Sequence, residues 1–464
     1  MEEFLKKIRG KLIHIVGVTG AEGSSILRFL ISQKIKNITT HDFADYNALE
    51  KSYKLWHKGI SIDERNKLFK QFTQDLSATI FYSGEKYLKD ILSADIIFVS
   101  QSWRLYKQQN QLLWEAKNKN TPFYSLTRLY LDFAKAKVVG VTGTVGKGST
   151  ANILVQFLKA ANKNVYFAGN ESWMVQVLDK FAEMTNEDIL VLEISHRQLQ
   201  DGFAKAPDVV IFTNLYPNHL DEVTWDEYKK LKLSLITRQT VKDIAILNYG
   251  VNELRNIIGQ LKSKIIFYSE KKRKMNIKSI QDIYEKIVIN NSTQYIDNIL
   301  AASTAANLLG VSSTTIAKSV KNIQALSARM EFIKKISGVS FYNDIKSTTP
   351  WATLAAVKKL AGNCILICGG RTKGIDYQDF IHKIEKDVEF IILLKSELSD
   401  KLIGLLPEKS YAVFTDLESA VLSAQKRAQK GKNILVSPAA GFFYSDFVKG
   451  KKSLRRIVED LPQS

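Results

Sequence analysis

The feature that most restricts the fold of this chain is a glycine-rich loop between a short apolar strand and a helix. Residues 138–142 predict the strand, residues 151–161 predict the helix, and the loop between them contains Gly143, Gly146 and Lys147. Glycines let backbone N–H groups surround phosphate oxygens, while the helix N-terminus and the lysine supply positive charge. The order of strand, loop, lysine and helix therefore predicts an ATP-binding loop in an α/β domain.

Hydroxyl groups beside the lysine add a metal ligand to this prediction, because Ser149 or Thr150 can ligate Mg²⁺. The spacing departs from the usual phosphate-loop pattern: Val141 occupies the first glycine position, and Gly148 separates Lys147 from the hydroxyls. A purely structural turn is the alternative interpretation. The predicted ATP-binding residues of the loop are Gly143, Thr144, Gly146, Lys147, Gly148, Ser149 and Thr150.

Polar residues follow the neighbouring apolar runs of the same region. Runs at 164–167, 189–192 and 209–212 alternate with helix-period segments, which predicts a parallel sheet. The second run ends at Glu193, and the third leads into His219 and Asp221. Because strand ends of a parallel sheet face the ligand crevice, Glu193 is expected to hold Mg²⁺ near the phosphates. A capping glutamate and an ordinary loop histidine are the alternatives.

The length of 464 residues predicts about three domains. In the first third, a strand at 12–16, a glycine turn at 17–23 and a helix at 24–33 predict a nucleotide-binding βαβ unit, although structural turn glycines explain the pattern as well. In the last third, strands are predicted at 339–342, 364–368, 390–394 and 433–436. The fold class expected is α/β throughout.

Charge and composition exclude several functions. The net charge of +19 comes from basic residues spread along the whole chain, so it favours small polyanionic substrates over nucleic acid. No run approaches the roughly 18 apolar residues of a membrane span, so a soluble cytoplasmic protein without a membrane partner is expected. The two cysteines, Cys364 and Cys368, are predicted to be buried core thiols.

Several segments resemble the Mur ligase family of ATP-dependent amino-acid ligases, over nearly the whole chain. Residues 142–147 resemble the family's TGTNGK loop with Val145 in place of Asn. The additional glycine, Gly148, resembles the loop of the related folylpolyglutamate synthases. Residues 192–199 resemble its LELSSFQL segment, and residues 214–221 its N-x-x-x-DHLD segment with Asn218 in place of the first Asp.

The resemblance implies three domains. These are an N-terminal Rossmann-like domain for the UDP substrate at 1–137, a central ATP-binding domain with a parallel sheet at 138–324, and a C-terminal Rossmann-like domain for the incoming amino acid at 325–464. It also implies an acyl-phosphate reaction in peptidoglycan precursor synthesis. The implied cofactors are ATP and two Mg²⁺ ions. The implied protein is a cytoplasmic monomer whose partners are a UDP-sugar peptide precursor and an amino acid.

The resemblance also assigns residues. The implied catalytic residues are Lys147, Glu193, His219 and Lys232, with Lys232 carbamylated and with Ser149, Glu193, His219 and Lys232 as metal ligands. Without the resemblance, Lys232 would be interpreted as an exposed helical lysine. Further implied ATP contacts are Asn298, Arg329, Asp344 and Lys346. The implied substrate contacts are Thr19, Asp42, Asn170, Ser195, Thr348 and Lys373.

Within the family, the C-terminal third most resembles the branch that adds D-glutamate to UDP-N-acetylmuramoyl-L-alanine. The segments 343–348, 369–374 and 437–440 are similar to the NDSKATN, GGxxKG and SPAxAS motifs of that branch. After Ala440, however, Gly441-Phe442-Phe443 replaces the expected Ala-Ser. This departure keeps three alternatives open: a Mur-family ligase with another acceptor or amino acid, a folylpolyglutamate-synthase-like ligase, and a catalytically silent relative.

Overall fold

A computed structural model describes residues 1–170, 175–290, 295–442, 444–447 and 453–462. The described chain forms two compact units. The first unit comprises described residues of Met1–Leu215, Lys229–Asn291 and Tyr295–Ile323, and the second those of Tyr216–Tyr228 and Gln324–Ser464. The glycine-rich loop and the turn that follows the first strand both belong to the first unit.

The first sheet has five strands in the order β3-β2-β1-β4-β5, and every pair is parallel. The strand order along the chain reverses between β1 and β4, and open α/β sheets bind ligands at such a point. The strands are β1 (Ile13–Val16), β2 (Ile38–His41), β3 (Ile80–Tyr82), β4 (Ile96–Val99) and β5 (Phe123–Tyr124). The helices are α1 (Glu2–Ile8), α2 (Ala21–Ser32), α3 (Leu49–Trp56), α4 (Ile62–Ser77), α5 (Gln111–Asn118) and α6 (Leu126–Phe133).

The central sheet has six parallel strands in the order β11-β10-β9-β6-β8-β7. Its strands are β6 (Lys137–Thr142), β7 (Val165–Gly169), β8 (Ile189–Glu193), β9 (Val209–Phe212), β10 (Ile244–Asn248) and β11 (Lys264–Tyr268). The helices of this part of the chain are α7 (Lys147–Ala160), α8 (Trp225–Thr237), α9 (Asn252–Asn256), α10 (Lys278–Asn290), α11 (Ile296–Leu308) and α12 (Ser313–Ser319). Apolar residues of α7 and α11 pack on the sheet in one core.

The third sheet has the order β12-β13-β17-β14-β15-β16 and is parallel except for the antiparallel edge pair β12–β13. Its strands are β12 (Glu331–Ile336), β13 (Val339–Asn343), β14 (Cys364–Cys368), β15 (Phe390–Leu394), β16 (Tyr411–Phe414) and β17 (Asn433–Val436). The helices are α13 (Pro350–Lys359), α14 (Gln378–Asp387), α15 (Glu397–Leu402), α16 (Leu417–Arg427), α17 (Tyr444–Phe447) and α18 (Leu454–Glu459).

The α/β fold class is confirmed, as is the parallel central sheet. Cys364 and Cys368 are buried and free, and burial raises the pKa of each thiol to about 12, as expected of core residues. Among the described residues, no helix combines the length and the apolar character needed to cross a membrane. The domain boundaries at 137/138 and 324/325 stay predictions.

Candidate active site

The glycine-rich loop leaves β6 at Thr142 and enters α7 at Lys147, four residues earlier than predicted. Gly143 and Gly146 have φ angles of 140° and 84°, which L side chains rarely adopt. A Cβ atom on Gly143 would lie 2.0 Å from Thr213 Oγ1, and one on Gly146 would lie 2.6 Å from Asn298 Oδ1. Only glycine fits at either position, so the backbone of the loop closely approaches its neighbours.

The end of the adjacent strand β9 braces this loop. Asn214 Oδ1 accepts from the N–H groups of Thr144 and Val145 at 3.2 and 2.9 Å, and Asn214 Nδ2 donates to the Val145 carbonyl at 3.0 Å. The Thr213 hydroxyl donates to the same carbonyl at 2.7 Å. No role is predicted from the sequence for Asn214 or Thr213. Their position directly after the run at 209–212 was the available signal.

The first turn of α7 presents the predicted phosphate and metal groups. Lys147 Nζ donates to the Thr144 carbonyl at 3.1 Å, so the ammonium group lies over the loop itself. Ser149 and Thr150 are buried in the same turn. The Thr150 hydroxyl donates to Asn298 Oδ1 at 3.3 Å, which places Asn298 of α11 directly behind the loop.

Lys232 lies beneath the loop and is 1% exposed. Its Nζ donates to the Gly143 carbonyl at 2.7 Å and to Thr142 Oγ1 at 3.4 Å. Burial lowers the pKa of Lys232 well below its ordinary value, the nearby Lys147 ammonium lowers it further, and Glu193 partly opposes both effects. The expectation of an exposed helical lysine is therefore wrong, and the amine is biased towards its neutral form.

The end of β8 carries a buried carboxylate. Glu193 is 2% exposed, and its Oε1 accepts from Asn170 Nδ2 at 3.4 Å. The Asn170 N–H also donates to the Glu193 carbonyl at 3.1 Å. Glu193 contributes to the electrostatics of Lys232. The first unit thus brings Asn170, Glu193, Lys147 and Lys232 to the same edge of the central sheet.

The turn after β1 is held by a carboxylate that directly follows β2. Asp42 Oδ2 accepts from the N–H and the hydroxyl of Thr19, both at 2.8 Å, and Asp42 Oδ1 accepts from the Ala44 N–H at 3.0 Å. The Thr19 hydroxyl also meets the Ser52 hydroxyl at 2.8 Å. Asp42 therefore supports the shape of the turn, whereas sequence reasoning had placed it only as a substrate contact.

Glu22, in the first turn of α2, was not predicted. It is 7% exposed and accepts from the Gln101 N–H at 2.7 Å. Burial raises the pKa of Glu22 to about 7, although the hydrogen bonds from Gln101 and Gln198 oppose that rise. Gln198 also accepts from the N–H of Ser195 at 2.8 Å. The predicted contact Ser195 is therefore linked to the buried Glu22 through Gln198, a connection that only the three-dimensional structure reveals.

In the second unit, His219 and Lys373 lie on adjoining loops. His219 Nδ1 is 2.8 Å from Glu222 Oε1, and the Leu220 N–H donates to the Lys373 carbonyl at 2.9 Å. His219 and Lys373 have φ angles of 57° and 55°, which are uncommon for residues other than glycine and often mark functional sites. Lys373 Nζ donates to Thr348 Oγ1 at 3.1 Å, so these two predicted substrate contacts adjoin.

Asp344 directly follows β13 of the third sheet and is 1% exposed. It accepts from the Ser437 hydroxyl at 2.8 Å and from the Met330 N–H at 3.0 Å. Burial raises the pKa of Asp344 to about 6, although these hydrogen bonds oppose the rise. Arg329 Nη1 donates to the Lys346 carbonyl at 3.1 Å. The second unit thus groups three of the predicted ATP contacts: Arg329, Asp344 and Lys346.

The departure after Ala440 has a defined structure up to Phe442. Gly441 and Arg371 exchange backbone hydrogen bonds of 2.8 and 2.9 Å. The ring of Phe442 stacks on Phe447 with a centroid distance of 5.0 Å and packs against the apolar core. An aromatic ring therefore replaces a hydroxyl at this point, and Phe443 lies outside the described residues.

Two family models match the chain. The Mur ligase middle domain matches residues 141–310, and the Mur ligase glutamate ligase domain matches residues 328–440.

Curated relatives match over greater lengths. UDP-N-acetylmuramoylalanine--D-glutamate ligase of Alkaliphilus metalliredigens (strain QYMF) is 31% identical over 71% of this chain and 76% of its own. The protein of that name from Thermoanaerobacter sp. (strain X514) is 27% identical over 98% of this chain and 99% of its own. Among solved structures, a pseudomurein peptide ligase type C from Methanothermus fervidus superimposes with a TM-score of 0.56 at 17% identity, covering 97% and 99% of the two chains.

Proposed function

The chain belongs to the Mur ligase family, and on that premise we propose that it adds D-glutamate to UDP-N-acetylmuramoyl-L-alanine at the expense of ATP, in peptidoglycan precursor synthesis. One structural observation carries this proposal most directly. A braced glycine loop with Lys147 lies at the same sheet edge as buried Glu193 and buried Lys232. This arrangement suits a reaction that must neutralise and align phosphate and carboxylate anions.

The proposed chemistry has two steps. A carboxylate oxygen of the acceptor attacks the γ-phosphorus of ATP, ADP leaves, and a mixed acyl phosphate forms. The amine of D-glutamate then attacks the acyl carbon, phosphate leaves with the former carboxylate oxygen, and the nitrogen loses its proton. Lys147 and the N-terminus of α7 would hold the phosphates in both steps, because both supply positive charge at the loop.

The oxygen donors of the first unit fit Mg²⁺, which prefers hard oxygen ligands. The Ser149 hydroxyl and the Glu193 carboxylate would hold the ion, and the bound ion would supply charge neutralisation at the phosphates. We propose two ions, in keeping with the resemblance, which adds His219 and a modified Lys232 to the ligands.

We propose that Lys232 is carbamylated, as the resemblance implies, and the burial of its amine supports this proposal. Its neutral amine can attack CO₂, forming an N–C bond and releasing one proton, and the product carries oxygen ligands in place of the amine. The nearby Lys147 ammonium favours this change, because the modification adds a negative charge beside a cation.

The remaining predicted contacts divide between the substrates. We propose that Thr19 and Asp42 shape the uridine nucleotide site and that Asn170 and Ser195 border the acceptor. Thr348 and Lys373 would bind carboxylates of the amino acid, and Asn298, Arg329, Asp344 and Lys346 would contact ATP. We further propose a cytoplasmic monomer with small-molecule partners only.

Phosphate release tests the proposal. The purified chain would be incubated with ATP, Mg²⁺ and UDP-N-acetylmuramoyl-L-alanine against a panel of D- and L-amino acids. We expect phosphate release that requires both the uridine nucleotide and D-glutamate. The mass of the product should equal the summed masses of these two substrates less one water. Release without the uridine nucleotide, or no release in any pairing, would contradict the proposal.

A second candidate is a ligase of the same family that adds another amino acid. The stacked ring of Phe442 favours it, because the apolar side chain cannot supply the hydroxyl that the resemblance leads us to expect near the amino acid. The same panel decides between the two: release with an amino acid other than D-glutamate, and none with D-glutamate, would establish the second candidate.

A further inference from the structure

Four polar residues form a closed ring of hydrogen bonds in the first unit, through their side chains and two backbone N–H groups. Glu22 Oε2 accepts from the Gln101 N–H at 2.7 Å, and Gln101 Oε1 accepts from the Ser195 hydroxyl at 2.9 Å. The Ser195 N–H donates to Gln198 Oε1 at 2.8 Å, and Gln198 Nε2 donates to Glu22 Oε1 at 3.4 Å. We name Glu22, Gln101, Ser195 and Gln198 the carboxylate ring.

The carboxylate ring connects two strand ends. Thr19 lies in the turn after β1, and Glu22 follows it by three residues, in the first turn of α2. Gln101 follows β4, the neighbour of β1 in the first sheet. On the other side, Ser195 follows Glu193 by two residues at the end of β8. The ring therefore joins the proposed uridine nucleotide turn to the strand end that carries the buried carboxylate of the proposed active site.

Packing alone does not explain Glu22. Removing a carboxylate from water is costly, and an apolar side chain of the same size would fill the space without that cost. The rise in the pKa of Glu22 to about 7 is consistent with such burial. Both carboxylate oxygens are engaged, one by a backbone N–H and one by a side-chain amide. The hydrogen bonds of the carboxylate therefore account for its presence better than its volume does.

We propose that Glu22 is a positioning residue: through Gln101 and Gln198 its carboxylate fixes Ser195 and thereby the end of β8 that carries Glu193. The inference rests on the proposed ligase function, because it assigns Glu22 a part in aligning the acceptor with the phosphates. It assigns Glu22 no contact with either substrate.

The donor and acceptor pattern of the ring supplies a sharp test. In Glu22→Gln the new amide can still accept from Gln101, but its NH₂ group then faces the NH₂ group of Gln198. Turning the Gln198 amide would only place its NH₂ group against the Ser195 N–H. Gln198→Glu instead sets two carboxyl groups face to face. The double variant E22Q/Q198E restores a complete ring with the two roles exchanged.

Steady-state kinetics measure the effect on turnover. We expect Glu22→Gln to lower kcat about tenfold, the rate equivalent of one buried hydrogen bond, with KM for ATP unchanged within about twofold. The double variant should recover to within about threefold of the wild type. Glu50→Gln, an exposed glutamate of α3, is the matched control and should behave as the wild type. Wild-type kcat in Glu22→Gln, or a double variant no better than the single ones, would overturn the proposal.

Hydrogen–deuterium exchange of peptides covering 193–199 gives a reading that does not depend on turnover. Both single variants should exchange faster there, and the double variant should return to the wild-type rate. Faster exchange with unchanged kcat would make the ring merely structural and would overturn the positioning role. A wild-type chain that turns over no substrate would contradict the proposed function instead, and exchange that is equal in all variants would refute the ring itself.

Discussion

Two loops of the first unit have the same place in their sheets but opposite chemistry. The loop after β6 and the turn after β1 both leave the C-terminal end of a buried parallel strand and enter a helix. The helix after β6 begins with Lys147, whereas the helix after β1 has the buried Glu22 as its second residue. Both helix N-termini favour anions through their free N–H groups.

The comparison teaches that backbone geometry alone does not select the ligand. At β6, Asn214 at the end of β9 braces the loop, and Lys147 lies over the loop, where its Nζ donates to the Thr144 carbonyl. At β1, Asp42 at the end of β2 contacts the turn, and Glu22 lies in the helix that follows the turn. Each carboxylate accepts from a backbone N–H group. We therefore expect the loop after β6 to bind the more highly charged triphosphate.

Removing the lysine that distinguishes the two loops should have the largest effect. Lys147→Ala should lower kcat about a thousandfold, because the charge that neutralises the transferring phosphoryl group is lost. The measurement is steady-state phosphate release, with thermal unfolding to show that the fold is retained. Lys159→Ala, an exposed lysine on the same helix, is the control. Comparable turnover in both variants would contradict the claim that Lys147 distinguishes the function of the two loops.

Lys232 lies buried beneath the loop after β6. No predicted site residue has the same position beneath the turn after β1. Lys232→Ala should lower kcat about a hundredfold or more, and added short carboxylic acids should partly restore it by supplying the missing oxygens. Lys230→Ala, exposed on the same helix, should remain fully active. A Lys232→Ala enzyme with normal activity would show that the lysine only fills space.

Changing the turn after β1 should affect the other substrate. Thr19→Val removes the hydroxyl hydrogen bonds to Asp42 and Ser52 while keeping the volume. KM for the uridine nucleotide should rise about fivefold, and KM for ATP should not change. Initial rates at varied concentrations of each substrate, with the exposed Thr73→Val as reference, test this. A larger change in KM for ATP would reverse the assignment of the two loops.

Acid should affect the two sheets differently. Burial is the main cause that lowers the pKa values of His14 and His57 from 6.5 to about 4 and that of His41 to about 3, so folding favours their neutral forms. Their contribution to the free energy of unfolding is complete above pH 6.5 and is lost as pH falls towards 4. At pH 5 the loss is about 1–2 kcal/mol per histidine.

Hydrogen exchange at pH 5 and 7.5, corrected for intrinsic rates, would measure this smallest effect. Peptides of β1 and β2 should lose protection relative to peptides of β6 and β9 at the lower pH. Equal loss in both sheets would show that the buried histidines do not set the acid response of the first sheet.

Much of the fold was predictable because buried parallel strands are continuous apolar runs. The predicted strands at 209–212, 364–368, 390–394 and 433–436 agree with β9, β14, β15 and β17 to the residue. The start of α7 was placed four residues late, because Gly148 and its hydroxyl neighbours are poor helix formers and the surrounding structure overrides that preference. Strands β3, β5, β10, β11, β12 and β16 were not predicted.

The site was predictable only in part. Motif order placed Lys147 at the glycine-rich loop and Glu193 at a strand end, and the structure has both there. The burial of Lys232 depends on packing that its own helix does not reveal. Likewise, Glu22 meets Gln101 and Gln198 across 79 and 176 residues of sequence, a separation at which local periodicity carries no information. Bracing by Asn214 arises in the same way, from a strand that is adjacent to β6 in the sheet and distant in the chain.

The most direct test of the difference between the two loops is calorimetric titration of the wild type and Lys147→Ala with a non-hydrolysable ATP analogue and, separately, with UDP-N-acetylmuramoyl-L-alanine. We expect the variant to lose binding of the ATP analogue by at least about a hundredfold and to bind the uridine nucleotide as the wild type does. Undiminished binding of the ATP analogue, or a parallel loss for both ligands, would contradict the assignment of the triphosphate to the loop after β6.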